Sequence, residues 1–222
     1  MVRHRVLRAV WVAILAGAGI AAIPTASRAT EVVVLGDSIG QGIAMANGLH
    51  NIARRSFSLR RSNIAKQIAQ MPKDAIGVMS LGINDAADPV WQLAKGIEAV
   101  VHAIEQSGRK VVWVGPPCVL KTWDTHAEDL DIYLRERLAT TAIQYVSLRD
   151  DAICAPTLRS RDGHHFTQEG YKYVWTKIRR GSSLVASASV PVERCAREAA
   201  MAARRDRKSG VACVREAAAH QR

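Results

Sequence analysis

Short apolar runs that alternate with stretches of helical spacing constrain this chain more than any other feature. Residues 31–35 (EVVVL), 76–81 (IGVMSL), 110–115 (KVVWVG) and 143–148 (IQYVSL) have strand character, and residues 56–60 suggest a further strand. Between them, residues 39–49, Ile64 to Ala69, Pro89 to Glu105, Thr125 to Thr140 and Thr167 to Arg180 read as helices. In the Pro89–Glu105 stretch, Val90, Leu93, Ile97, Val100, Val101 and Ile104 recur at helical spacing. Thr125 with Glu128 has the form of a capping box, and Thr167 is the expected cap of the last helix. Strands that are apolar along their whole length, each followed by a helix, imply a parallel sheet covered on both faces. The expected fold class is therefore α/β: a three-layer α/β/α sandwich around a flavodoxin-like parallel sheet of about five strands.

Such sheets bind ligands beyond the carboxyl ends of their strands. Three polar segments fall there or just before the last helix: Gly36-Asp37-Ser38, Gly82-Ile83-Asn84-Asp85, and Asp162-Gly163-His164-His165. A serine hydroxyl becomes a useful nucleophile when a base takes its proton and a third group orients that base. Ser38 lies on a sharp turn, and His165 follows Asp162 by three residues. Asn84 offers a side-chain amide to a developing oxyanion, as does the backbone N–H of Ser38. Helix capping is the competing role for Ser38, and a turn with Gly163 is the competing role for Asp162. An Asx-turn and a helix cap are the competing roles for Asn84 and Asp85, and His164 competes with His165. Asp37 reads as structural. Trp113, Trp123 and Trp175 read as core or pocket wall rather than as a sugar-stacking platform.

Gly36-Asp37-Ser38-Ile39-Gly40 also fits the GxSxG elbow of α/β-hydrolases. That elbow follows a strand deep in its chain, whereas Ser38 follows the first one. The three blocks together, in this order, resemble the GDSL or SGNH hydrolase family over roughly residues 31–180. Val34-Leu35-Gly36-Asp37-Ser38 is similar to its nucleophile block, Gly82-Ile83-Asn84-Asp85 to its GxND block, and Asp162-Gly163-His164-His165, with Gly170-Tyr171 beyond, to its DxxH block. The resemblance implies Ser38 as nucleophile, His165 as general base, Asp162 as its orienting partner and Asn84 as oxyanion donor. One landmark departs from the pattern. The family places a glycine between the first and third blocks, and residues 57–64 here contain none. Ser62 or Asn63 is the expected backbone donor in its place. The departure also admits a non-catalytic carbohydrate-binding or envelope-assembly protein on the same fold.

The formal charge of +11 invites a nucleic-acid reading, but its distribution argues against one. Residues 1–29 contribute +4 and residues 193–222 another +4, leaving +3 for the residues between. The first segment reads as an export signal. It has three arginines up to Arg8, an apolar run from Ala9 to Ile23, Pro24, and Ser27-Arg28-Ala29 before the expected cleavage point. The domain plan is thus a signal peptide over 1–29, a hydrolase domain over 30–185 and a basic, Ala/Arg-rich helical tail over 186–222. A periplasmic or secreted location follows, with membrane contact through the signal segment alone. Four cysteines in an exported chain permit three pairings; their positions favour Cys118–Cys154 and Cys195–Cys213. No Cys/His spacing has the form of a metal site, and the expected chemistry needs no metal or organic cofactor. The expected partner is a small acyl ester or an acylated glycan, with no nucleic acid.

Overall fold

The structure, a computed structural model, describes residues 30–188. The signal segment and the Cys195–Cys213 pairing lie outside that range, as does nearly all of the basic tail. Five strands form one all-parallel sheet: β1 (Val32–Gly36), β2 (His50–Asn51), β3 (Ile76–Ser80), β4 (Lys110–Val114) and β5 (Gln144–Val146). Their spatial order is β2-β1-β3-β4-β5, the flavodoxin-like order. Helices cover both faces: α1 (Ser38–Asn47), α2 (Ala65–Ile68), α3 (Val90–Ser107), α4 (Asp124–Leu138), α5 (Asp151–Cys154), α6 (Gln168–Gly181) and α7 (Ser183–Ser187). Helix α1 packs against α6, and α3 packs against α2 and α4. The expected three-layer α/β/α sandwich is the observed architecture.

Burial explains why these segments became these elements. Every residue of β1 and β3 is buried, as a strand covered on both faces requires. On α3, Leu93, Ile97, Val100, Val101 and Ile104 form the buried stripe that the helical spacing foretold. Gly108 ends α3 in the left-handed conformation, at φ 63°. Thr167 caps α6 by accepting from the Gly170 N–H at 3.1 Å.

Two local expectations are corrected. Residues 56–60 are not a strand. Ser56 has φ 57°, which breaks an extended run, and the amides of Leu59 and Arg61 go to the side chains of Asp85 and Ser58. The edge strand lies earlier, at His50–Asn51, in register with Val33 and Val34. Helix α4 has no capping box: Trp123 is in the cap position and makes no side-chain cap bond. The acidic side chains nearby serve longer-range partners. Asp124 accepts from the Val119 N–H at 2.6 Å and pairs with Arg149, which also lies 3.8 Å from Glu128.

The sheet order reverses between β1 and β3, where Gly36 stands beside Ser80. The turns after these strands therefore leave the same rim. A disulfide joins Cys118, in the segment after β4, to Cys154 at the end of α5. No helix among the described residues is long and apolar enough to cross a membrane.

Candidate active site

The turn after β1 is held from four sides. Gly36 has φ 102°, in the region that favours glycine. Its N–H donates to Gln67 Oε1 at 2.6 Å, and its carbonyl accepts from Gln67 Nε2 at 3.2 Å and from the Arg54 N–H at 3.0 Å. The Asp37 N–H donates to the Ser80 carbonyl at 2.8 Å. Asp37 is fully buried and caps α1, its Oδ1 accepting from the Ile39 N–H and the Ser80 hydroxyl, both at 3.0 Å. Burial pushes its carboxyl from 3.8 up to about 7, against the pull of those donors. Ser38 is thus the first residue of a helix whose next two amides Asp37 takes.

His165 reaches Ser38 from the other side of the chain. Its Nε2 lies 2.8 Å from Ser38 Oγ, and its Nδ1 lies 2.7 Å from Asp162 Oδ2. The Asp162–His165 turn builds itself from local bonds. Asp162 Oδ1 accepts from the Ser160 hydroxyl at 2.8 Å, the His164 N–H at 3.0 Å and the His165 N–H at 2.9 Å. Partial burial raises the Asp162 carboxyl, but these donors and the His165 ring overcome it and hold it well below its ordinary range. Asp162 is therefore an anion at neutral pH and fixes the imidazole with a proton on Nδ1. Nε2 is then left as the acceptor facing the serine hydroxyl.

The turn is also anchored to its surroundings. Arg159 and Phe166 pair as an antiparallel bridge, with the Arg159 guanidinium 4.1 Å above the Phe166 ring centre. The Gly163 carbonyl accepts from the Leu120 N–H at 2.7 Å. His164, the competing histidine, stacks beside His165 with ring centres 4.2 Å apart and lies on the cavity wall. Burial and the neighbouring His165 depress its pKa.

A cavity of about 510 Å³ opens over this group, and Ser38, Asn84, Asp162 and His165 all line it. Asn84 donates from Nδ2 to the Phe57 carbonyl at 2.8 Å, one of the two hydrogens that nitrogen carries. Asp85, buried beside it, takes the Leu59 N–H at 2.7 Å. These two bonds tie the 57–59 segment to the turn after β3.

The consequence concerns the second backbone donor. The Ser62 N–H bonds to the Ser58 carbonyl at 3.2 Å, and its hydroxyl accepts from the Ser58 N–H. Ser62 closes a turn and is not among the residues lining the cavity. Asn63, the other expected donor, is not among them either. Ser56 is, and it is the only non-glycine residue with positive φ among the described residues. The sequence reading missed it, because it lies one residue before the 57–64 stretch and is not a glycine. It also missed Gln67, which reads as an ordinary helix residue; being polar beside Ile64 and Ile68 was its only signal. Trp113 and Trp175 are core residues, and Trp113 Nε1 donates to the Leu81 carbonyl at 3.1 Å.

Asp162, His164 and His165 each present a ligating atom within 4.8 Å of the others. In this structure the Asp162 oxygens and both His165 nitrogens already have partners, and the grouping coincides with the serine–histidine pair.

No family model matches the chain, and no curated protein matches it. Solved structures do match in fold. A member of the lipolytic protein G-D-S-L family from Veillonella parvula superposes with a TM-score of 0.56 at 15% identity, covering 68% of this chain and 97% of that one. The C-terminal catalytic domain of peptidoglycan O-acetyltransferase A from Streptococcus pneumoniae gives 0.56 at 20% identity, covering 73% and 97%. A carbohydrate esterase family 3 protein from Talaromyces cellulolyticus gives 0.54 at 16%, covering 67% and 94%.

Proposed function

Since the chain has the fold of the GDSL/SGNH hydrolases and carries three of their sequence blocks, we propose that it is an exported serine esterase. Its substrates are short acyl esters, including O-acetyl groups on envelope polysaccharide. One observation carries the reading: the continuous hydrogen-bonded chain from Asp162 through His165 to Ser38 at the wall of an open cavity.

In this reading, Ser38 Oγ attacks the ester carbonyl as His165 Nε2 takes its proton. Negative charge develops on the carbonyl oxygen. The donors for it are the Asn84 amide and the backbone N–H groups of Ser38 and Ser56. Asp37 engages the amides of Ile39 and Gly40, which leaves the Ser38 N–H as the free first-turn donor. Ser56 takes the place of the family's glycine, since its φ of 57° is a conformation glycine adopts readily. His165 then protonates the leaving alcohol. Water, deprotonated by the same nitrogen, releases the acid and restores Ser38. The chain's own groups and water supply every proton and electron pair in this sequence.

The solved neighbours include proteins described as carbohydrate esterase and peptidoglycan O-acetyltransferase, which supports an acylated glycan as substrate. The arginine-flanked apolar run at the N-terminus supports export, as does the Cys118–Cys154 disulfide, a bond that persists in oxidising compartments.

The test is covalent labelling with a fluorophosphonate together with hydrolysis of 4-nitrophenyl acetate. The expected result is label on Ser38, and a fall in kcat of roughly a thousandfold or more in Ser38→Ala. An unlabelled, inactive wild-type protein would favour a binding role for the cavity instead.

A further inference from the structure

One cationic side chain on the cavity wall has no bonded partner. Arg55 lines the cavity beside Ser38 and Ser56 and is exposed. Its side chain forms no ion pair or hydrogen bond among the described residues. Its neighbour Arg60 behaves differently, pairing with Asp88 and lying 3.9 Å from Asp85. The acid on the cavity wall is Asp162, whose two oxygens accept from Ser160, His164 and His165. Its ion pairs are with His164 and His165, and none joins it to Arg55.

A second cation stands beside the Asp162–His165 turn. The Lys121 side chain comes close to Gly163, its Cε 3.4 Å from where a Cβ on that glycine would sit. Its charge contributes to the depressed pKa of His164. The cavity is thus open, with Arg55 on its wall and Lys121 beside the turn that carries His164 and His165. Gln41 and Asn84 add amide groups suited to hydroxyls.

An arginine on a cavity wall without a protein partner is suited to a carboxylate, which a guanidinium can meet with two parallel N–H···O bonds. We infer that the ester this cavity selects carries a carboxylate, which Arg55 binds while the acyl carbonyl faces Ser38. This inference rests on the esterase reading and names its substrate class: acyl esters of acidic sugars, or half-esters whose acyl chain ends in a carboxylate.

The experiment compares kcat/KM for matched charged and neutral esters. One arm uses acetylated methyl glucuronoside against acetylated methyl glucoside, which places the charge on the alcohol. The other uses the phenyl half-ester of adipic acid against phenyl hexanoate, which places it on the acyl chain. The wild type is expected to favour the charged member of one pair by about tenfold, the worth of one charge-assisted hydrogen bond. Arg55→Ala should abolish that ratio and Arg55→Glu should invert it. Arg61→Glu, the same charge change at an exposed residue off the cavity wall, should leave the ratio standing. Equal kcat/KM within both wild-type pairs would overturn the inference, as would a ratio untouched by Arg55→Glu.

A binding measurement separates this inference from the esterase reading. Methyl glucuronoside and methyl glucoside are titrated by NMR into Ser38→Ala protein with and without Arg55→Glu. Arg55-dependent binding of the glucuronoside, beside a wild type inactive on every ester, would sink the esterase reading and leave the carboxylate site intact. Binding indifferent to both charge and Arg55, for monomethyl adipate against methyl hexanoate as well as for the glycosides, would sink the site.

Discussion

Asp37 and Ser38 are adjacent and have opposite relations to water. Ser38 faces an open cavity, whereas Asp37 is fully buried and holds the turn that aims its neighbour. Burial lifts the Asp37 carboxyl from 3.8 to about 7, so the folded state keeps a proton that the unfolded chain has already released in between. This proton's contribution to stability is complete below about pH 4, declines as pH rises, and is gone above about pH 7. Denaturant titrations across that window should show stability falling by on the order of 4 kcal/mol from this group. Asn retains the Oδ1 acceptor that serves Ile39 and Ser80, so Asp37→Asn should flatten the decline. An unchanged slope in that variant would assign it to another group. In the sequence Asp37 reads as structural. Its titration is a tertiary property, set by the depth of the turn beneath the rim.

At the scale of elements, the turn that carries Ser38 depends on a helix of four residues. Helix α2 presents Gln67, which is 1% exposed and bonds both the N–H and the carbonyl of Gly36. Gln67→Ala would leave the buried Gly36 N–H without a partner and the Gly36 carbonyl with the Arg54 N–H alone, at an expected cost of about 1–3 kcal/mol. Because those groups precede Ser38 by two residues, kcat should fall more than KM rises. Chemical denaturation and steady-state kinetics on one preparation would check both effects. A variant that lost stability and kept full kcat would reduce Gln67 to a packing residue. Helix α3 and the cap of α6 were legible in the sequence because their signals are local: a repeating apolar stripe and a threonine three residues before its acceptor's partner. The 52–64 segment was not. Its apolar residues suggest a strand, yet Asn84 and Asp85, more than twenty residues away, take its backbone groups. The true edge strand is two polar, exposed residues without any apolar signal.

At the scale of the molecule, two long-range connections tie the elements around the cavity together. One is the packing of α1 on α6, where Gly42 lets the Tyr171 ring approach so closely that a Cβ would overlap it. The other is the Cys118–Cys154 disulfide, which closes a loop of 36 residues containing α4 and β5. Loop-closure entropy for that length gives about 4 kcal/mol of stabilisation. Replacing both cysteines by serine should lower the denaturation midpoint accordingly while leaving the Ser38–His165 pair able to form. Midpoints that coincide with and without the disulfide would show that the surrounding packing already holds this loop closed.

The sequence by itself determined the α/β alternation, the strands that build the sheet centre, and the Ser38, Asn84 and Asp162/His165 blocks. These are written in local periodicity, in glycine-closed turns and in short spacings, which a chain carries before it folds. Only the tertiary structure decided that Ser38 and His165, 127 residues apart, stand 2.8 Å from each other. It also placed Ser56 rather than Ser62 on the cavity wall and left Arg55 there without an acidic partner. Those outcomes depend on where the sheet order reverses and on long-range hydrogen bonds to the 52–64 segment, and no window of sequence contains both ends of such a bond.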